Sequence, residues 1–293
     1  MLPNFFVAGA QKCGTTSLHE YLSRHPDIYL PRIKETKHFA IDERYEKGMG
    51  HYESTFYGAW RGEKAVGEVD PDYLYFETAL DRIAANIKLS ELKFIFILRN
   101  PTERAFSHYL MTYRRGREPL SFEEAILKEP ERIRKDFDSR MHYSYLDRGR
   151  YLKQLTRFAE RVDSSRICVL LSEDLKKKPW DTLRTCFDFL GVDPDFQSID
   201  TDAQHHRATL PKSMTLLKNI MEKNTPLKKL GRVLVPHKDL RARIGAILYK
   251  LNQTEKTYLT LNEATKRTLR AFFAPENEKL SAWMKRDLSH WNH

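Results

Sequence analysis

The chain has 293 residues, a formal net charge of +10 and three cysteines. Its length suits one catalytic α/β domain. Three cysteines are too few and too odd in number for a disulfide framework. No apolar run reaches the roughly 20 residues that span a bilayer. These properties argue against a small disulfide-stapled domain, and we expect no stable insertion into a membrane.

Short apolar runs predict strands that alternate with helical stretches. In chain order they are Phe5–Ala8, Ile28–Leu30, Ala65–Glu68, Phe94–Leu98 and Ile167–Leu171. Ser121 with Glu124 predicts a capped helix start, and Gly191 predicts the end of a helix around Asp181–Leu190. This alternation predicts a central parallel sheet flanked by helices, in a single α/β domain over residues 1–293.

The first strand runs into a polar loop that predicts an anion site. The strand breaks at Gly9, and the loop delivers three hydroxyl-bearing residues to the start of a helix: Thr15, Thr16 and Ser17. Free N–H groups and the positive end of the helix dipole favour an anion there, and Lys12 adds a full charge. We expect a phosphorylated nucleotide, with a ligand-free turn as the alternative. The loop is not a Walker A motif, because Thr15 follows Gly14 where that motif has lysine.

A second polar segment follows the strand at Phe94–Leu98. Asn100 is suited to cap the next helix and Pro101 to its first turn, and Ser107 lies two turns further on. A nucleoside-triphosphate enzyme needs a carboxylate here for magnesium, whereas this strand ends in Arg99. An arginine fork with a serine hydroxyl suits a phosphate monoester. The alternative is that Arg99 and Ser107 only cap a helix.

Together the two segments resemble the nucleotide motifs of sulfotransferases that use 3′-phosphoadenosine 5′-phosphosulfate (PAPS). The order Lys-x-Gly-Thr-Thr from Lys12 is similar to their 5′-phosphosulfate loop, and Arg-x-Pro-x-x-Arg-Ala-x-Ser-x-Tyr from Arg99 is similar to their 3′-phosphate motif. The resemblance implies a P-loop-like three-layer fold, PAPS as sulfuryl donor and no metal. It implies nucleotide contacts from Lys12, Cys13, Gly14, Thr15, Thr16, Ser17, Arg99 and Ser107. Arg207 stands where the family has a loop near the 3′-phosphate; it either adds positive charge there or is an exposed loop arginine.

Further segments are similar to the heparan-sulfate branch of that family. Lys34 to Phe39 resembles its Lys-Glu-x-His-Phe-Phe segment, which implies that Glu35 is the catalytic base. The resemblance also gives Lys12 a catalytic role at the bridging oxygen. We expect burial to raise the pKa of Glu35, or the developing proton transfer to strengthen it as a base. The alternative reading of Glu35 is an ion pair with Lys34 or Lys37.

The chain departs from that branch at several positions. Lys37 stands where histidine is frequent, so a catalytic role for His38 is left open. In Gly67–Tyr73, which resembles Gly-Glu-Lys-Ser-Pro-x-Tyr, Val69 replaces a lysine and Asp70 replaces a serine. These departures indicate a different acceptor, or a base that is supported in another way.

The acceptor is the least determined part of the prediction. Residues 213–260 are rich in lysine, arginine and leucine and have no strand pattern, which predicts a helical lid or acceptor wall, or else a solvated helical face. The resemblance implies transfer to a hydroxyl or amine of a carbohydrate or a small molecule. A kinase acting on a small molecule and an inactive nucleotide-binding module are the alternatives.

The positive charge suits an anionic cofactor in a basic cleft. Nucleic acid is not the expected partner, because the aromatic residues fall mostly within apolar runs instead of between basic residues. His205 and His206 are adjacent and have no ligands at metal spacing, so we expect no metal site. The first strand begins too early for a leader peptide with its own apolar core, and we expect a cytoplasmic protein.

Overall fold

A parallel sheet of five strands lies at the centre of the protein, which is described here by a computed structural model. The strands are β1 (Phe5–Gly9), β2 (Ile28–Tyr29), β3 (Ala65–Val69), β4 (Lys93–Leu98) and β5 (Ile167–Leu171). Their order across the sheet is β2-β3-β1-β4-β5, and every neighbouring pair is parallel. All five predicted strands are therefore confirmed, with bounds that differ by at most one residue at an end.

The structure describes residues 1–197, 210–211, 216, 237–251, 253–254 and 259–293. The helices in these ranges are α1 (Thr15–Leu22), α2 (Asp42–Tyr45), α3 (Gly48–Phe56), α4 (Glu77–Asn86), α5 (Pro101–Arg114), α6 (Phe122–Lys135), α7 (Phe137–Tyr143), α8 (Tyr151–Ala159), α9 (Ser172–Lys177), α10 (Pro179–Leu190), α11 (Lys238–Leu251) and α12 (Glu263–Met284). Short 3₁₀ turns lie at Leu89–Glu91, Asp147–Gly149, Ser164–Arg166 and Ser289–Trp291.

Helices flank the sheet as predicted, because alternate strand residues point to opposite faces. On one face, Phe94 and Phe96 pack against Phe158 of α8, with ring centroids 5.2 Å and 4.9 Å apart. On the other face, Ile97 lies beside Gly14 at the start of α1. Both faces of β4 are thus covered, which is why its sequence is apolar throughout.

Local sequence patterns predict the helix ends correctly. Asn100 Oδ1 accepts from the N–H of Thr102 at 3.0 Å, and α5 begins at Pro101. The side chain and main chain of Ser121 exchange hydrogen bonds with the residue three positions on, which forms a capping box at α6. Gly191 ends α10 in the left-handed conformation.

The chain divides into two compact units. The first comprises Met1–Arg104, Asp147–Ala203 and Leu269–His293 and contains the five-stranded sheet. The second comprises Ala105–Leu146 and Gln204–Thr268. In the second unit the buried carboxylate of Glu118 accepts from Arg132 at 2.7 Å and from the hydroxyl of Tyr145 at 2.6 Å. The single domain predicted for residues 1–293 stays a prediction.

The predicted lid at 213–260 lies largely outside the described residues. Helix α11 falls inside it, in agreement with the prediction of helices. The absence of strands was wrong in one place, because β7 (Gln253–Thr254) pairs antiparallel with β6 (Leu210–Pro211). This pair is held by main-chain bonds and has no apolar run to reveal it. Across the described ranges, no helix combines the length and apolarity that crossing a membrane requires.

Candidate functional site

The loop after β1 forms an uncapped helix start. Gly14 is the N-cap residue of α1 with a φ of 106°; it makes no side-chain cap hydrogen bond, and the first turn of the helix contains no acidic residue. Only glycine adopts this φ without strain. A helix start that lacks both a cap and a carboxylate leaves its donors and its dipole available to an external anion.

Close packing holds this loop against the sheet. The N–H of Ala10 donates to the carbonyl of Ile97 at 2.9 Å, which ties the loop to β4. A Cβ on Gly9 would lie 2.6 Å from the Cβ of Leu74, so a larger residue there forces a shift. Lys12 has a φ of 69°, so the loop turns sharply where it carries its positive charge. These contacts fix the position of the loop relative to the sheet.

The other predicted residues of this loop differ in exposure. Thr15 is buried, Thr16 is exposed, and Lys12 and Ser17 are half-buried. Cys13 is fully buried, and burial raises the pKa of its thiol. The contribution of Cys13 to a ligand is therefore limited to its main chain.

Arg99 lies directly after β4, the strand next to β1. Its guanidinium donates to one carboxylate oxygen of Glu103, from Nε at 3.0 Å and from Nη2 at 2.7 Å. Ser107 is half-buried and lies on α5, which begins two residues after Arg99. Arg207 lies outside the described residues. Because the strands are parallel, Arg99 and the loop at Gly14 lie at the same edge of the sheet, where ligands of such sheets bind.

Glu35 follows β2 and forms ion pairs. Its N–H donates to the carbonyl of Val69 at 3.0 Å, and its carboxylate pairs with Lys34 and lies 3.7 Å from Nζ of Lys37. Burial alone raises the pKa of such a carboxyl, but Lys34 and Lys37 outweigh it and lower the pKa of Glu35. The expected raised pKa is therefore wrong for the free protein, and the ion pairs weighed as the alternative are present.

Two buried aspartates after β3 complete this cluster. The carboxylate of Asp72 pairs with Lys37 through one oxygen and with Arg148 through the other, at 2.6 Å. These two cations outweigh burial and lower the pKa of Asp72 to about 2. Asp70 accepts from the N–H groups of Lys37 and Asp72, at 2.7 Å and 3.2 Å, and burial raises its pKa to about 8 although Lys37 acts against it. The loop that carries Glu35 is thus anchored to the end of β3.

A third buried carboxylate, that of Glu68, is hydrogen-bonded to the same loop. Glu68 accepts from the hydroxyls of Thr36 and Tyr52 and from that of Tyr73 at 2.8 Å. Burial raises its pKa. His38 stacks on Tyr52 with ring centroids 4.4 Å apart, is 2% exposed, and burial lowers its pKa to about 4. Its catalytic role stays a prediction, and its surroundings are those of a core side chain.

Sequence reasoning missed the long-range members of this site. Asp72 and Arg148 pair across 76 positions in the chain, and Tyr151 bonds to Arg99 across 52. No local pattern marks such residues. Only Asp70 had been noted, as a departure from a family segment. In the described part of the chain no group of three or more His, Cys, Asp or Glu residues is arranged to hold a metal ion.

A family model described as "Sulfotransferase domain" matches residues 2–232. The chain is 34% identical over 140 residues to the membrane-associated sulfotransferase kil1 of Dictyostelium discoideum, covering 45% of this chain and 29% of that protein. It is 29% identical over 191 residues to heparan sulfate glucosamine 3-O-sulfotransferase 3B1 of Mus musculus, covering 65% and 46%. The chain thus spans less than half the length of these curated relatives.

A solved structure matches along the whole chain. The sulfotransferase from Alicyclobacillus acidocaldarius has a TM-score of 0.72 and 31% sequence identity, and the match covers 100% of both chains.

Proposed function

Since the chain belongs to the sulfotransferase domain family, as its motifs predicted, we propose that it moves the sulfuryl group of PAPS to a hydroxyl or amine of an acceptor. The observation that carries the proposal is the pairing of an uncapped α1 start with Arg99 at the end of the adjacent parallel strand. Two anion-binding elements on neighbouring strands suit a nucleotide with phosphates at both its 5′ and 3′ positions.

The residues present fit the 5′ end of this nucleotide. The N-cap residue of α1 makes no side-chain cap hydrogen bond and the first turn has no carboxylate, which suits the binding of a phosphosulfate at this helix start. We assign Lys12 to the bridging oxygen and the 5′-phosphate, and the N–H groups of Gly14, Thr15 and Thr16, with the hydroxyls of Thr16 and Ser17, to the other 5′ oxygens. PAPS, when bound, supplies the sulfuryl group and a bisphosphate leaving group.

We assign the 3′-phosphate to Arg99 and Ser107. The guanidinium of Arg99 already presents Nε and Nη2 together to the carboxylate of Glu103. The same edge binds a phosphate bidentately. Binding exchanges the partly exposed carboxylate for a more highly charged phosphate. Under this assignment we expect the protein to bind PAPS more tightly than ATP, because ATP has no 3′-phosphate.

Glu35 is proposed as the base that accepts the acceptor proton. As the new bond forms between the acceptor oxygen or nitrogen and sulfur, the bond between sulfur and the bridging oxygen breaks, and the acceptor proton passes to a carboxylate oxygen of Glu35. Lys34 and Lys37 lower the pKa of Glu35, so the transfer requires an acceptor that becomes acidic as the new bond forms. Lys12 stabilises the charge that develops on the leaving oxygen.

The acceptor is proposed to be a carbohydrate or a small molecule. Similarity to a heparan sulfate glucosamine 3-O-sulfotransferase supports a sugar hydroxyl. We further propose a cytoplasmic location. The free thiols of all three cysteines support it, because thiols stay reduced in that compartment. The relative kil1, by contrast, is named as membrane-associated. Transfer of labelled sulfate to a panel of glycans, glycolipids and phenolic or cationic metabolites identifies the acceptor class.

The competing proposal is a kinase that acts on a small molecule. Magnesium-dependent kinases need a carboxylate at the phosphate site. The candidates after β3 are engaged, since Asp72 pairs with two cations and Asp70 accepts two N–H groups. Calorimetry with adenosine 3′,5′-bisphosphate and with ATP, each with and without magnesium, tests the choice. We expect tight, magnesium-independent binding of the bisphosphate; magnesium-dependent ATP binding supports the kinase instead.

A further inference from the structure

Tyr151 joins the two loops that are proposed to hold the nucleotide. It is the first residue of α8 and is 1% exposed. Its hydroxyl donates to the carbonyl oxygen of Arg99 at 2.8 Å, and its oxygen lies 3.5 Å from Sγ of Cys13. One side chain therefore contacts the loop after β1 and the loop after β4.

The direction of these hydrogen bonds follows from the number of protons. A tyrosine hydroxyl has one proton, and it goes to Arg99, so in the contact between the two side chains the thiol of Cys13 is the donor. The carbonyl oxygen of Gln11, 3.7 Å from Sγ in the same loop, is a second acceptor for that thiol proton. Burial raises the pKa of both groups, and both therefore keep their protons at neutral pH. The hydroxyl of Tyr151 thus contacts the side chain of Cys13 on one side and the main chain of Arg99 on the other.

The C-terminal segment holds Tyr151 in place. The ring of Trp291 meets the ring of Tyr151 edge-on at 6.3 Å. The carbonyl of Trp291 accepts from Asn100 at 2.9 Å, and its indole N–H donates to Glu173 at 2.7 Å. The tyrosine is thus fixed between the loops and a segment anchored to the residues that follow β4 and β5.

Among the described residues, the main chain ties the loop after β1 to β4 at the first residue of that loop. The N–H of Ala10 donates to the carbonyl of Ile97, before β4 ends. Beyond that point, the bonds through Tyr151 set the distance between Cys13, which precedes the N-cap of α1, and Arg99. A rigid distance matters because both loops must contact one nucleotide at the same time, and prior ordering reduces the cost of binding.

We propose that Tyr151 is a positioning residue that couples the two phosphate-binding loops, so that occupation of one end of the nucleotide strengthens binding at the other. The inference rests on the proposed function, because it assumes that both loops hold the same nucleotide. It adds an energetic coupling between the 5′ site and the 3′ site, which the assignment of contacts to each site does not include. Tyr151 itself does not touch the nucleotide in this proposal.

The test measures coupling instead of affinity alone. Dissociation constants are measured by calorimetry for adenosine, its 5′-monophosphate, its 3′-monophosphate and its 3′,5′-bisphosphate. The coupling factor is the product of the dissociation constants of the two monophosphates, divided by the product of those of adenosine and the bisphosphate. A factor above one means that each phosphate strengthens binding of the other. In Tyr151→Phe we expect this factor to fall about 3- to 10-fold, the size of one neutral hydrogen bond, with each monophosphate constant changed less than about twofold.

A matched control is Tyr29→Phe. The hydroxyl of Tyr29 also donates to a main-chain carbonyl, that of Phe56 at 2.7 Å, but on β2. We expect the coupling factor of Tyr29→Phe to equal that of the wild type. Cys13→Ala is the second variant and carries the test if Tyr151→Phe does not fold. It should lower the coupling factor, and Cys13→Ser, which keeps a donor, should restore it.

An unchanged coupling factor in Tyr151→Phe and Cys13→Ala overturns the inference while leaving the proposed function intact. An equal loss for all four ligands is one form of this result, because equal changes cancel in the coupling factor, and it indicates a general structural role. If the wild type binds the bisphosphate no better than the 5′-monophosphate, the proposed function fails first and the inference with it.

Discussion

Replacement of Glu103 by glutamine should tighten binding of adenosine 3′,5′-bisphosphate. In the free protein both bonding nitrogens of Arg99 point to one oxygen of Glu103, so a 3′-phosphate at Arg99 competes with that carboxylate. The side chains of Arg99 and Glu103 are 26% and 52% exposed, and solvent screens their attraction. Pairs of this kind are worth about 0.3–0.5 kcal/mol. With the like-charge repulsion also removed, we expect roughly 2- to 3-fold tighter binding.

Replacement of Arg99 gives the opposite result and a larger effect. A hydrogen bond to a charged group is worth about 1.5–3 kcal/mol, so Arg99→Ala should weaken bisphosphate binding roughly 10- to 150-fold. The bisphosphate affinity of Arg99→Lys should lie between those of the wild type and Arg99→Ala, because lysine keeps the charge but loses the planar fork. The 5′-monophosphate lacks the group that Arg99 is proposed to hold, so its affinity should change little in these variants.

Titration calorimetry at two salt concentrations measures these effects. Glu263→Gln is the control, because it removes the same charge from another partly exposed ion pair, in which Lys266 lies 3.5 Å away. That variant should leave bisphosphate binding unchanged. If Glu103→Gln weakens binding, or Arg99→Ala weakens both nucleotides equally, Arg99 does not hold the 3′-phosphate.

Three further predictions concern catalysis and stability. Lys12→Ala should lower turnover about 10²- to 10³-fold, the usual cost of losing one oxyanion contact; unchanged turnover in a sulfate-transfer assay contradicts its role. Glu35→Gln should bind the bisphosphate normally and lose about 10²-fold or more in transfer; full activity on the true acceptor refutes the base assignment. Arg148 and Lys37 hold the pKa of Asp72 at about 2, below its ordinary 3.8, so its ionised form contributes on the order of 2 kcal/mol of stability that is present above pH 4 and is lost as pH falls through 2. Asp72→Asn should therefore be less stable at neutral pH, and its unfolding free energy in urea should fall less than that of the wild type between pH 4 and 2.

Much of this protein could be predicted from local sequence. The five strands follow from short apolar runs, and the helix ends at Asn100, Ser121 and Gly191 follow from caps that act within a few residues. The loop after β1 follows in the same way, since a glycine and a row of hydroxyls at a helix start are neighbours in the chain; its binding of a phosphate stays a prediction. These patterns are readable because their interactions close over short separations.

The tertiary structure decided between the two interpretations of Glu35 that the sequence allowed. Burial raises the pKa of such a carboxyl, but the ion pairs with Lys34 and Lys37 form and lower the pKa of Glu35. The position of Lys37 depends in turn on Asp72, which lies 35 residues away in the chain. The pKa of a carboxyl depends on the charges within a few ångströms, and long-range folding determines which charges those are.

The strand order and the link through Tyr151 are also features that only the tertiary structure determines. An alternation of strands and helices predicts a parallel sheet, yet several strand orders satisfy it, and only the folded chain shows β1 between β3 and β4. That order brings the loop at Cys13 beside Arg99, where the hydroxyl of Tyr151 reaches both. Hydrophobic periodicity and caps are properties of adjacent residues, whereas these contacts exist only after distant segments have packed together.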